Sequence, residues 1–135
     1  MITKKYLDNL TYEVIGAAIE VQKEIGRGLL ESIYAEWMKV ELKNRKIEYK
    51  SELKIPVIYK ETVVNTSFRC DFLIENCLVL ELKSVQEVHG IYDSQVLTYM
   101  KLLRVPKGVL INFNCFNIFY KGQKTFINEY FNNLE

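Results

Sequence analysis

Residues 69–83 read Arg69-Cys70-Asp71-Phe72-Leu73-Ile74-Glu75-Asn76-Cys77-Leu78-Val79-Leu80-Glu81-Leu82-Lys83. Two strand-like runs flank Glu75, Asn76 and Cys77, and the length of the turn decides which side chains share a face. A two-residue turn at Glu75-Asn76 sets Ile74 against Cys77 and Cys70 against Glu81, which puts a carboxylate on the apolar side. A three-residue loop, with Asn76 suited to positive φ, sets Ile74 against Leu78, Phe72 against Leu80 and Cys70 against Leu82. Only the second register keeps these six apolar side chains together. It also sets Asp71 opposite Glu81 and Arg69 opposite Lys83.

Directly opposed residues have Cβ atoms ~4.5–5.5 Å apart. Two carboxylates at that spacing repel, and one is raised in pKa unless a cation sits between them. A hard divalent cation such as Mg²⁺ suits this oxygen pair, with water and phosphate completing its shell. Lys83 lies on the same face as Glu81, about 6.6 Å along the strand. A lysine there can orient a water or stabilise charge on a phosphate. The plainer alternative is an exposed strand face carrying two ordinary ion pairs, Asp71 with Lys83 and Glu81 with Arg69.

Outward from this hairpin the period changes. Residues at about 9–25 carry a 3.6-residue apolar stripe, with Asp8 or Thr11 as the cap and Gly26-Arg27-Gly28 as the stop. A second helix over about 29–45 makes the pair an antiparallel αα-hairpin. Residues from Tyr49 to Lys60 alternate as a half-exposed strand with Pro56 marking an edge, then Lys60-Glu61-Thr62 turns. The next strand spans about 64–74, with Thr66, Phe68, Cys70 and Phe72 on one face and Asn65, Ser67 and Arg69 on the other. Helical period returns at about 91–104, ended by Pro106 and Gly108, and Val109-Leu110-Ile111 reads as a strand buried on both faces. Cys115 to Tyr120 and Lys124 to Ile127 suggest a last hairpin around Gly122.

The 135 residues are the size of one domain, 1–135, with 49% apolar and 26% charged residues. A net charge of +1 excludes a strongly basic, tail-driven nucleic-acid binder and leaves room for a locally basic face. No apolar run reaches ~18 residues, and Met1 to Asp8 lacks the apolar stretch of a signal peptide. Cys70, Cys77 and Cys115 form no CxxC pair, read as small apolar fillers and suit a reducing cytoplasm. His89 is the only histidine, which excludes a two-histidine metal site and leaves a rim or solvated-loop role. Lys43, Arg45, Lys46 and Lys50 form the best phosphate-tracking run, with a solvated helix end as the alternative. Trp37, Tyr49, Tyr59, Phe113, Phe116, Phe119 and Tyr120 could stack on bases, though at these spacings such residues more often form core.

Two further features narrow the reading. Gln95 and Tyr99 are i,i+4 neighbours on the helix after the lysine strand, and Gly28, Glu31 and Tyr34 open the second helix. With Ile15 to Val21, Arg69-Cys70-Asp71, Glu81-Leu82-Lys83 and Leu110 to Asn114, the chain resembles the GxxExxY proteins. These are placed among the PD-(D/E)xK nuclease-like folds. Gln95 to Tyr99 is similar to the QxxxY element of the RecB-like branch. The resemblance runs from Leu10 to about Asn114 and departs at Gln22, where histidine is expected.

The element order along the chain reads ααβββαβ with a C-terminal extension. The resemblance implies an α/β domain with a mixed central sheet flanked by helices. It implies that Asp71 and Glu81 hold a metal, with Glu31 a further acidic residue beside it. Lys83 would assist the attacking water, and Gln95 and Tyr99 would orient the site or touch the nucleic-acid backbone. The expected function is Mg²⁺- or Mn²⁺-dependent phosphodiester hydrolysis on DNA or RNA, in the cytoplasm and without a membrane. The rival is a non-catalytic nuclease-like module that binds nucleic acid or a protein partner, toward which the near-zero charge leans. A homodimer is left open.

Overall fold

Thr3 opens the first helix, α1 (Lys4–Ile25), its hydroxyl accepting the Tyr6 N–H at 3.1 Å. The helix starts earlier than the caps expected from sequence because those side chains are used elsewhere. Asp8 pairs with Lys107 Nζ at 2.7 Å, and the Thr11 hydroxyl donates to the Leu7 carbonyl at 2.7 Å. Helix α2 (Glu31–Asn44) packs against α1. The computed structural model describes residues 1–64 and 68–135. Strands β1 (Tyr49–Lys54), β2 (Val57–Tyr59), β3 (Thr62–Val64), β4 (Arg69–Ile74) and β5 (Leu78–Lys83) follow α2. Helix α3 (Gly90–Leu103), β6 (Lys107–Asn112), a π-helical turn (Ile118–Gly122), β7 (Gln123–Ile127) and α4 (Glu129–Asn132) complete the chain.

The main sheet runs β1-β4-β5-β6-β7. Only β5 and β6 are parallel, and α3 is the crossover that a parallel pair requires. The other neighbours are antiparallel, so the sheet is mixed as expected. Phe72, Ile74, Leu78, Leu80, Leu82, Val109 and Ile111 pack with α1 and α2 on one side. Leu73, Val79 and Leu110 pack with α3 on the other. Every residue of β6 is buried, as its central apolar run implies.

Four local readings differ. The strand begun at Tyr49 breaks at Ile55 and Pro56, and Val57–Tyr59 pairs with Thr62–Val64 in a separate two-stranded sheet turned by Lys60 and Glu61 at φ 48° and 66°. The part of the next strand read through Asn65, Thr66 and Ser67 lies outside the described residues. Cys70 packs on the α3 side with Ile55 and Tyr99, apart from Phe72 and Ile74. Alternation fails beside Glu52, which sits between the Ser51–Phe72 and Leu53–Cys70 partners at φ 49°. Arg104, at φ 55°, ends α3, and Gly108 lies inside β6. Cys115 to Tyr120 make no strand: Asn117 Oδ1 accepts the Tyr120 N–H at 3.0 Å and opens the π turn, while β7 pairs with β6.

Gly108 sets how closely α3 approaches the sheet. A Cβ there would lie 2.6 Å from Val96 Cγ1 and 2.8 Å from Met100 Sδ. Gly108→Ala is therefore expected to destabilise the fold by about 1–3 kcal/mol through overpacking. A denaturant midpoint that stays in place would show that α3 shifts without cost.

Candidate active site

Glu75 and Asn76 take left-handed φ values of 50° and 57°, and the Cys77 N–H closes the turn on the Ile74 carbonyl at 2.9 Å. The β4–β5 partners are Ile74–Leu78, Leu73–Val79 and Phe72–Leu80, which is the three-residue register. One step further Asp71 faces Glu81, and there the main-chain ladder stops. The Asp71 N–H donates to Glu81 Oε2 at 2.6 Å, and the Leu82 N–H donates to Asp71 Oδ2 at 2.9 Å. Each carboxylate takes up a backbone donor of the opposite strand, so the pair is built into the seam.

Glu81 is 4% exposed. Burial pushes its pKa up to about 8, with the Asp71 charge adding to the rise. Asp71 is also raised by burial, against hydrogen bonding from the Leu82 N–H and the charge of Lys83. Among the described residues neither Lys83 nor Arg69 forms an ion pair within 4 Å, so the plainer pattern of two surface salt bridges is absent. Lys83 Nζ instead lies 4.6 Å from the centroid of the Tyr92 ring. Its charge still favours ionisation of Glu31, Asp71 and Glu81 together.

Glu31 reaches this region because the loop before it is pinned. Gly26 and Gly28 take φ 90° and 81°, which side-chain-bearing residues rarely adopt. The Tyr34 hydroxyl donates to the Gly26 carbonyl at 2.7 Å and accepts the Leu29 N–H at 3.2 Å, while its ring stacks on Phe113 at 4.2 Å. Ser84 Oγ donates to the Leu29 carbonyl at 2.6 Å and ties the loop to the end of β5. Glu31 becomes the first residue of α2, where the helix dipole favours an acid. It lines a cleft of about 440 Å³ with Asp71, Phe72, Leu82, Ser51 and Glu52. Burial, then the Asp71 charge, raise its pKa against the pull of Lys83. Among the described residues no three carboxylate, imidazole or thiolate groups converge as a ready-made metal cage.

From α3, Tyr99 is 6% exposed, and burial followed by the charge of Glu81 raises its phenol. Gln95 Oε1 is buried without a hydrogen-bond partner. His89 is exposed at the start of α3, its ring 6.1 Å from Tyr92. Other candidates lie elsewhere. Arg45 binds Glu41 Oε2 at 2.7 Å and reaches Glu13 at 3.7 Å, bracing α2 on α1. Lys43 and Lys46 line a separate cavity at the far end of α2, about 20 Å along the helix from Glu31. Gln22 donates to the Phe113 and Cys115 carbonyls at 2.8 and 2.7 Å, a structural tie that asks nothing of a histidine. Phe113 is core, whereas Trp37, Tyr59, Phe116, Phe119 and Tyr120 are exposed.

Two residues at the site escaped the sequence reading. Tyr92 seats Lys83, and its signal was its place three residues before Gln95 and seven before Tyr99 on one helix face. Glu52 lines the cleft and raises Asp71, yet its alternation with Lys50 and Lys54 marks only a solvent-facing position.

The Glu81 shift carries a pH signature. Its folded pKa of about 8 lies above the ordinary 4.5, so the folded chain keeps a proton that the unfolded chain has released throughout that window. The associated stability is full below the lower value and is lost as pH rises through the upper one. In metal-free buffer the chain should lose at least about 1.4 kcal/mol between about pH 5 and about pH 8, the worth of one pKa unit. Glu81→Gln should flatten that slope in urea titrations; parallel slopes in the two chains would assign the titration to another group.

A family model described as the PD-(D/E)XK nuclease superfamily matches residues 8–125. No curated protein and no solved structure gives a significant match. No helix is long and apolar enough to cross a membrane among the described residues. The family match takes in the helical hairpin, the interrupted β4–β5 seam and the α3 crossover that closes over it, and on that span the chain belongs to the PD-(D/E)XK nuclease superfamily.

Proposed function

We propose that this chain is a metal-dependent nuclease of the GxxExxY group on the RecB-like branch, a single domain over 1–135 that hydrolyses phosphodiester bonds in DNA or RNA. The observation that carries the reading is the buried Asp71–Glu81 pair, each carboxylate held by the other strand's backbone, where burial pushes both pKa values up and the Asp71 charge adds to the rise at Glu81. A site that stores repulsion between two carboxylates and relieves it with a proton suits a hard cation. Mg²⁺ or Mn²⁺ bound there supplies charge to the phosphate oxygens and lowers the pKa of water. Asp71 and Glu81 would be its protein ligands, and Glu31 would add negative charge from the start of α2 across the shared cleft.

Lys83 is the cation common to the three carboxylates, and its seat on Tyr92 leaves it without a competing ion pair among the described residues. In this reading it orients the attacking water or stabilises charge on the phosphate. Gln95, whose buried Oε1 has no partner, and Tyr99, packed beside Glu81, orient the site from α3. Lys43 and Lys46 serve at most as a remote backbone contact, and the setting is cytoplasmic. The second reading is a non-catalytic module that binds nucleic acid or a protein partner. The net charge of +1 and the lack of a third converging ligand among the described residues favour it.

The test pairs cleavage with melting. Labelled DNA and RNA should be cut in Mg²⁺ or Mn²⁺ and left intact in EDTA. Asp71→Asn and Glu81→Gln should each lower cleavage at least about 100-fold, since outer-shell partners of a metal alone are worth 10–100-fold. Without metal and above about pH 8, where Glu81 is ionised, Asp71→Asn should be more stable than wild type by about 0.2–1 kcal/mol, the scale of a repulsive cross-strand pair. Millimolar Mg²⁺ should raise the wild-type melting temperature and leave the variant in place. Nucleic acid bound but uncut under every metal condition would select the second reading.

A further inference from the structure

We infer that Arg27 and Phe116 form a stacking platform for an unpaired base next to the cleaved phosphate, which makes single-stranded nucleic acid the substrate class; the inference rests on the nuclease reading above. Phe116 is 86% exposed, and the Arg27 guanidinium lies 3.6 Å from its ring centroid. One ring face is thus occupied by a cation and the other is open. Among the described residues Arg27 forms no ion pair, so its charge is available to a phosphate. An exposed aromatic face backed by a guanidinium is the pairing that single-strand binders use, because every base offers a π-face and every linkage a negative charge.

The backbone flanking both residues is pinned and leads toward the site. Arg27 lies between Gly26 and Leu29, the two residues fixed by the Tyr34 hydroxyl. Phe116 follows Cys115, whose carbonyl is held by Gln22. Arg27 is four residues before Glu31, a span of at most about 14 Å. On the Phe116 side, the Phe113 N–H donates to the Lys83 carbonyl at 2.8 Å. Charge sets the direction. The cleft wall beyond Asp71 carries Glu31, Glu36 and Glu52, and its one lysine, Lys39, is bound to Glu36 at 2.9 Å. A polyanion approaching Asp71 and Glu81 is repelled along that wall and accepted on the Arg27–Phe116 side.

The experiment uses the full chain carrying Asp71→Asn, so that nothing is cut, with fluorescent oligonucleotides in Mg²⁺ read by anisotropy. Phe116→Ala should weaken single-strand binding roughly five- to hundredfold, the range of one lost base stack, and Phe116→Trp should retain it. A strand of equal length and charge made of abasic units should bind the parent weakly and be indifferent to Phe116→Ala, as should a blunt duplex. Phe116 is a surface side chain, and an unchanged melting temperature certifies the variant. If Phe116→Ala binds single strands as the parent does while the chain with Asp71 intact still cleaves, this inference falls and the nuclease reading stands. If wild type neither binds nor cleaves any nucleic acid, both fall. A wild-type dimer dissolved by Phe116→Ala would also overturn it, marking the patch as a self-association surface.

Discussion

The exchange of backbone amides between Asp71 and Glu81 is the constraint on which the site depends. A sheet satisfies its buried N–H groups with carbonyls of the neighbouring strand. At the end of the β4–β5 pair the Asp71 and Leu82 amides find carboxylate oxygens instead. The apolar pairs Phe72–Leu80 and Ile74–Leu78 hold the strands in register. The carboxylates therefore cannot separate by slipping, because a one-residue shift would carry the whole apolar face out of the core. Burial and mutual repulsion then act on groups that have nowhere to go, and Glu81 answers by keeping its proton.

The Gly28, Glu31 and Tyr34 spacing divides its labour. Gly28 supplies a backbone conformation, and Tyr34 supplies two hydrogen bonds and a stacked ring that lock the loop before the helix. Only Glu31 turns its side chain to the cleft. The motif thus couples one polar group to a scaffold that fixes where it stands, and the Ser84 bond to Leu29 carries that scaffold to the end of the strand bearing Lys83. Asn112 repeats the arrangement on the next strand. Its side chain bonds both the N–H and the carbonyl of Val85, at 3.1 and 2.9 Å, and so holds the segment that leads from the lysine strand to α3.

Local charge is a poor guide to function in this chain because neighbours decide its use. The basic run at the end of α2 loses Arg45 to a brace between the two helices, and Lys43 and Lys46 sit a helix length from Glu31. Lys83, a single cation in an apolar strand, is instead seated on an aromatic ring, forms no ion pair among the described residues, and is shared among three acids.

The register of β4 and β5 was legible in the sequence, because apolar alternation across a short turn has one arrangement that buries a continuous face. The αα-hairpin and the buried β6 strand were legible for the same kind of reason, in that period reports burial, whereas the mixed sheet was expected from the family resemblance. Alternation also misled, placing Cys70 with Phe72 where the backbone turns at Glu52, a residue with no sequence mark of a left-handed conformation. Tertiary structure alone decided that Asp71 and Glu81 bind amides rather than Lys83 and Arg69, that Tyr92 seats the lysine, and that Arg45 is structural. It also decided that Gln123–Ile127 joins the sheet edge beside β6 rather than a local hairpin. These are long-range choices among partners of equal chemical type, and local periodicity carries no term for distance through space.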